Sequence, residues 1–375
     1  MLFRPLPAFR ATAQAALRRT TTTTTTRQQC RRYVQPSFTR HAQGRLGFST
    51  NPSAESMREM TSLFKRVFKL TGYTAIALGA GAALLWQSYH LYIEHFLEST
   101  PSELSYRARN LLHGAHVREK VAPDHEVAAV YLNEVLRIAL EEQKLDEHSP
   151  VVIQLRLRLA DDEARAGNLY GAITEYTRAW KLLKEAPEND NEYLMAKTAK
   201  EMGSLYYRVG DYEHAEEFLA WAFDRLRAYT DDTFLKVTTT NALASVYTIQ
   251  RRFDLSMPLL LLALKDIPED ATESKWVCLK GILQNQLCET MYGMAKIDEA
   301  LGWAQASLES CTIGLDLDKN KKGEVVLNRD CQDCRVVVAN NLSKLLEMKG
   351  DKEQAQSYYE QSLMFAADAA ESKTK

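Results

Sequence analysis

Small residues recur through most of this chain at a period that no single helix or sheet produces. Ala172, Ala215, Ser256, Ala300 and Ala355 lie 43, 41, 44 and 55 residues apart, and around each of them apolar residues follow helical spacing. Each copy reads as a helix, a short turn and a second helix. Strand signals are almost lacking: there is no Asn-Gly or Asp-Gly hairpin and no long alternating run. A helix pair of this size cannot bury its apolar face alone, so the copies must stack, and the chain from 98 onward is expected to form one continuous all-α array.

The clearest copy, Glu201 to Phe223, places Gly203, Tyr206, Gly210, Asp211, Tyr212, Ala215, Leu219 and Ala222 in one register. The same register fits Ala160, Gly167, Ala172, Tyr176 and Ala179. It recurs at Ala244, Tyr247, Ser256, Leu260 and Ala263, at Cys288, Met291, Ala300 and Ala304, and at Ser343, Leu346, Gly350, Ala355 and Tyr359. Small residues where two helices approach, with aromatics wedged beside them, resemble the tetratricopeptide repeat. Five clear repeats of about 42 residues exceed the usual length of about 34, which is similar to the long repeats of kinesin light chains. The array is assigned to 151–375, with an inserted surface loop at 312–332, and a degenerate helix pair at 98–150 is expected to cap it.

In tetratricopeptide arrays the first helix of each repeat lines a concave groove. The residue three before the small contact position points into that groove, and here those residues are Leu157, Lys200, Asn241, Asn285 and Asn340. One turn on lie Asp161, Ser204, Ser245, Glu289 and Lys344, then Tyr207, Arg208, Thr248 and Tyr292. An asparagine amide offers donors and an acceptor to the backbone of an extended peptide whatever its side chains. The alternative is that the asparagines only cap or bridge neighbouring helices. The peptide-binding candidates are therefore Lys200, Tyr207, Arg208, Asn241, Asn285, Tyr292, Asn340 and Lys344. Lys200 and Arg208 are too few to clamp an acidic C-terminus.

Ahead of the array the chain changes character. Nine of its 47 basic residues, all arginine, fall in the first 50 positions, where there is no acid, so the remainder carries 49 acids against 38 basic residues. An Arg- and Ser/Thr-rich, acid-free leader at 1–50 resembles a mitochondrial presequence, although Thr20 to Thr26 would interrupt its helix. Leu70 to Trp86 then gives seventeen residues without a formal charge. With Lys65, Arg66 and Lys69 before it and Trp86, Tyr89 and Tyr92 at its far end, 70–93 is expected to span a membrane, 51–69 being the basic segment on the near side. Positive charge before the span and an acidic body after it set the N-terminal side in the matrix and the repeats in the intermembrane space. An outer-membrane anchor with a cytosolic body is the alternative. Ala75, Gly79 and Ala83 repeat every four residues, a spacing that lets helices pack closely in lipid, although small residues are also merely tolerated there.

Chemistry-bearing motifs are scarce. The sequence has no phosphate loop, H-E-x-x-H or nucleophile elbow, and all eight histidines precede residue 215. No enzyme and no cofactor are expected. Asp161-Asp162-Glu163 is expected to be a solvated face, and Asp231-Asp232 a helix N-cap. Cys331 and Cys334 form a lone C-x-x-C, for which structural zinc would need two further ligands from Cys278, Cys288 and Cys311. A Cys331–Cys334 disulfide and reduced thiols at a helix edge are the readings left open.

A presequence, one span near residue 80 and long tetratricopeptide repeats together resemble the fungal adaptor subunit of the mitochondrial inner-membrane i-AAA protease. The resemblance implies a non-catalytic protein that binds unfolded or misfolded clients and delivers them to the protease hexamer, beside a membrane co-adaptor and without nucleic acid. A respiratory-complex assembly factor and an outer-membrane import receptor share parts of this layout.

Overall fold

In a computed structural model the described residues are 52–185, 191–227, 232–268, 272–319 and 328–372. The proposed presequence lies outside them. The chain divides into two units, Met1–Ala77 and Leu78–Lys375. In the first, the described residues belong to helix α1, Pro52–Tyr92, which continues into the second unit. Helix therefore begins well before the expected span and includes most of the basic segment. Within α1, a Cβ built at Gly72, Gly79 or Gly81 would meet nothing within 4 Å, and Ala75, Gly79 and Ala83 are exposed. Among the described residues these small residues thus have no packing partner. Ser56–Leu97, comprising most of α1 and its extension, is the one described helix long and apolar enough to cross a membrane.

The second unit contains the end of α1 followed by twelve further described helices. A pair formed by α2 (Tyr106–His116) and α3 (His125–Arg137) precedes five pairs: α4 (Pro150–Ala166) with α5 (Leu169–Glu185), α6 (Glu192–Val209) with α7 (Tyr212–Leu226), α8 (Thr233–Ile249) with α9 (Phe253–Lys265), α10 (Ser274–Gly293) with α11 (Ile297–Lys319), and α12 (Arg329–Lys349) with α13 (Lys352–Ser372). This is the all-α tetratricopeptide-like superhelix expected from the register.

The turns show why the helices stop where they do. Gly167, Gly210 and Gly350 close α4, α6 and α12 at φ of 92°, 86° and 89°, a left-handed conformation that costs glycine little. Asp211 then caps α7 through a bond from the His214 amide to Oδ1 (3.2 Å). The third and fourth repeats lack this glycine. Arg251 and Ala295 hold the same conformation at φ of 60° and 61°, where a Cβ is strained.

Packing follows the small residues. Ala172, Ala215, Ser256 and Ala300 are fully buried and Ala355 nearly so, and on the facing first helices Ala160, Gly203, Ala244, Cys288 and Ser343 are buried as well. A Cβ on Gly203 would stand 2.5 Å from Leu219 Cγ and 3.2 Å from the Ala215 carbonyl oxygen, so α6 and α7 touch there almost backbone to backbone. Leu219 is fully buried, as are Leu260, Leu283 and Leu287 in the next repeats.

Two expectations need correction at the C-terminal end. First, α11 runs on through 312–319 and α12 starts at Arg329, so helix enters the supposed loop from both sides, while 320–327 lie outside the described residues. The reason is apolar burial: Cys311 and Cys331 are fully buried, and Leu315 almost fully. Second, Cys331 is bonded to Cys278, joining α12 to α10 with a Cα–Cα distance of 5.1 Å. Cys334, the nearer cysteine along the chain, is not its partner. Cys288, Cys311 and Cys334 are free and buried.

Replacing Gly203 by alanine is expected to destabilise the array by about 1–3 kcal/mol in thermal or urea unfolding, the usual cost of overpacking a tight core. Non-reducing peptide mapping should recover Cys278 linked to Cys331. Cys278→Ser should lower stability by about 2–4 kcal/mol under oxidising conditions and leave it little changed in reductant.

Candidate binding groove

First helices line the inner side of the array: α6 touches α8, α8 touches α10 and α10 touches α12, whereas second helices mainly touch the first helices beside them. Side chains turned away from the partner helices on α6, α8, α10 and α12 therefore share one concave strip.

The strip does not treat the sequence candidates alike. Lys200 is half-buried and its Nζ is paired with Glu201 Oε1 at 2.9 Å. Arg208 and Lys344 are exposed, and Tyr292 is half-buried against the core between α10 and α12. Asn241 and Asn340 are half-buried, and the Asn241 Oδ1 atom is enclosed without a hydrogen-bond partner. Asn285 is buried and committed at both ends. Its Oδ1 accepts from Asn341 Nδ2 at 3.1 Å, and its own Nδ2 donates to Glu289 Oε1 at 3.0 Å. Asn285 thus bridges α10 to α12.

Asn341, which the register passes over in favour of Asn340, is the asparagine between the helices, 3% exposed. The signal was the Asn-Asn doublet itself, of which a fixed offset can select only one member. Glu289 is the second residue brought to this strip. Burial raises its carboxyl above the usual carboxylate range, against the opposing bonds from Asn285 and Asn341. Tyr207 on α6 feels the same environment, its phenol being pushed up to about 12 by burial and then by the Glu289 charge. Asn285, Glu289 and Asn341 are therefore neighbours across α10 and α12, and Tyr207 on α6 lies within reach of the Glu289 charge. Among the described residues no group of three His, Cys, Asp or Glu side chains is placed to hold a metal ion.

At the array's entry lies a second polar cluster, within the unit that starts at Leu78. Past α1, the turn Ile93–Leu97 buries Ile93 completely. Glu94 accepts from Arg109 Nη2 at 2.6 Å and pairs with His113 Nε2 at 2.8 Å. Glu98 pairs with His116 Nδ1 at 2.6 Å and with Arg158, whose Nε also reaches Glu119 at 2.7 Å. The apolar helix thus ends by docking onto α2 and α4. In the expected span's last turns, His90 and Ile93 are inside protein and not in lipid.

Asp162 belongs to this cluster, which corrects the solvated face assigned to 161–163. It is 2% exposed and its Oδ1 pairs with His125 Nδ1 at 2.8 Å. Its side is fixed by the helical turn: Leu159 and Asp162, three apart on α4, both face inward, while Asp161 reaches out to Arg165 at 2.9 Å. Burial pushes the Asp162 carboxyl up to about 6, with Glu119 beside it adding to the rise and His125 opposing it. Asp232 caps α8 as expected, Oδ1 accepting from the Leu235 amide at 2.9 Å.

No protein-family profile matches the sequence, and no curated protein matches it either. Among solved structures, the apo form of the quorum sensor NprR from B. thuringiensis superposes with a TM-score of 0.50 at 13% identity, over 69% of this chain and 65% of that one. BtubC from P. vanneervenii aligns with a TM-score of 0.48 at 17% identity over 70% and 92%. The type IV pilus biogenesis factor PilW aligns with a TM-score of 0.45 at 15% over 68% and 92%. At such identities the NprR likeness speaks for the fold alone.

The Asp162 environment has a pH consequence. A carboxyl with a folded-state value of about 6 and an ordinary value of 3.8 holds its proton better in the folded protein, so its contribution to stability falls as pH rises between those values. Asp162→Asn should remove that downward component from the melting temperature measured against pH, and wild-type and variant slopes that coincide between pH about 4 and about 6 would contradict this assignment.

Proposed function

We propose that this chain is a membrane-anchored, non-catalytic adaptor that holds unfolded or extended client segments in its repeat groove. It presents them to an i-AAA protease hexamer and its membrane co-adaptor in the mitochondrial inner membrane. The observation that supports this reading most directly is the concave strip of α6, α8, α10 and α12. It carries half-exposed amides and aromatics in successive repeats. Amide side chains pair with any peptide backbone, which suits a receptor for many sequences. The docked end of α1 supports the same reading, because it couples the groove to the membrane helix without a long linker. The acid-free leader and the basic flank favour the inner membrane, with the N-terminus in the matrix and the repeats in the intermembrane space. In this reading the exposed face of Ala75, Gly79 and Ala83 is where the helix meets its membrane partners.

Affinity isolation of the full chain from detergent-solubilised mitochondria should recover the hexameric protease together with unfolded clients, and the repeats should be digested by added protease only after the outer membrane is ruptured. Recovery of respiratory-complex subunits alone would overturn the adaptor role. Asn241→Ala combined with Asn340→Ala should weaken client capture several-fold with helicity unchanged. Asn285→Ala should instead lower thermal stability, because it removes the buried side-chain bond that ties α10 to α12.

A further inference from the structure

The middle of the groove is built from acceptors. Glu289 is half-buried on α10 and receives a hydrogen bond from the Asn285 amide at 3.0 Å, and among the described residues no lysine, arginine or histidine pairs with it. Two further oxygens on the first helices of this strip are enclosed without a donor: Oδ1 of Asn341 on α12, a side chain that is 3% exposed and bonded to Asn285, and Oδ1 of Asn241 on α8. Of the cations in the groove, Lys200 is already neutralised by Glu201, and Arg208 and Lys344 are exposed. Ser245 turns its hydroxyl back onto the Asn241 carbonyl at 2.9 Å, and Tyr207 offers only a neutral phenol.

A carboxylate removed from water without a counter-ion is unfavourable, and so is an enclosed amide oxygen with no donor. The sequence keeps both at one place, on the inner side of the array, where an occupant would meet them. A cation bearing N–H groups satisfies all of them at once. Its charge pairs with Glu289, and its several donors fit the amide oxygens after small rotations of the asparagine side chains. An acidic or purely apolar group leaves them unmet.

Resting on the groove reading above, we propose that the strip around Glu289 is a subsite for a positively charged group of the bound segment, the ammonium of a lysine or the guanidinium of an arginine, flanked by Asn241, Asn285 and Asn341. The array then selects extended segments with a basic residue at one position, while the amides elsewhere in the groove tolerate any sequence. The subsite is opposite in charge to a clamp for acidic C-termini.

The test uses the full chain in detergent and a set of fluorescent peptides that are identical except at one central position. The peptides are N-acetylated and C-amidated and carry lysine, norleucine or glutamate there. A fourth peptide has norleucine and a free α-amine. The wild type should bind the lysine peptide about tenfold more tightly than the norleucine peptide, the scale of a single partly buried charge pair, and the glutamate peptide most weakly. Glu289→Gln, which keeps the shape and removes an uncompensated charge, should fold at least as stably. It should bind lysine and norleucine peptides alike, at the wild-type norleucine affinity. A preference for the free α-amine over lysine would overturn the side-chain assignment. Equal wild-type affinities, or a lysine preference that survives Glu289→Gln, would overturn the subsite and leave the groove standing. Failure of every peptide to bind a well-folded chain would remove the groove reading and the subsite with it.

Discussion

Everything in this protein depends on how closely two helices can approach. At Ala160 against Ala172, and at Gly203 against Ala215, side chains shrink until the helices nearly meet, and larger residues such as Tyr176, Leu219 and Leu260 fill the space on either side. Because the same contact recurs in each pair, every pair has much the same geometry, and stacking gives a superhelix with an inner and an outer side. The groove is therefore a product of packing: the first helices come together on the inside because the small residues let their partners sit so near. Glycine ends three of the first helices with a left-handed residue and restarts the chain within two positions, which keeps the pairs tight.

What could be read from the sequence followed the same logic. Pair positions, the turns at Gly167, Gly210 and Gly350, and the burial of Ala172 to Ala355 all rest on local spacing, which a linear pattern displays directly. The features that escaped it depend on what lies across from a residue. Asp162 looks solvated in a run of three acids, yet one helical turn directs it inward onto His125. Cys331 looks tied to Cys334 by proximity along the chain, but its partner is 53 residues away. Residues 312–319 have the composition of a loop, and they stay helical because Leu315 has a core to enter. At the groove, the offset rule found Asn285 but not its mate, since Asn340 and Asn341 differ only in which side of α12 they occupy.

The polar cluster at the entry has a different character from the apolar joints between repeats. Glu94, Glu98 and Glu119 engage Arg109, Arg158, His113 and His116 across four segments, partly shielded from water. Such pairs contribute modest net stability, but their geometry is demanding, and removing one partner leaves another charge stranded. They hold the segment at 93–98 against α2 and α4 more firmly than apolar contact would. Burial of the Asp162 carboxyl beside Glu119 adds a proton-dependent element to the same joint.

The disulfide changes how the array breathes. In a stacked solenoid each pair is held only by its neighbours, so terminal pairs normally open first and most often. Here the bond between Cys278 and Cys331 ties α10 to α12 and makes the last two pairs open as a block, while the ion-paired docking of α1 secures the opposite end. In the interior, Arg251 occupies a strained turn between α8 and α9, and Pro258 removes a backbone donor from within α9. A stack fastened in this way at both ends does not unravel from its tips, so any opening has to start between pairs in its interior.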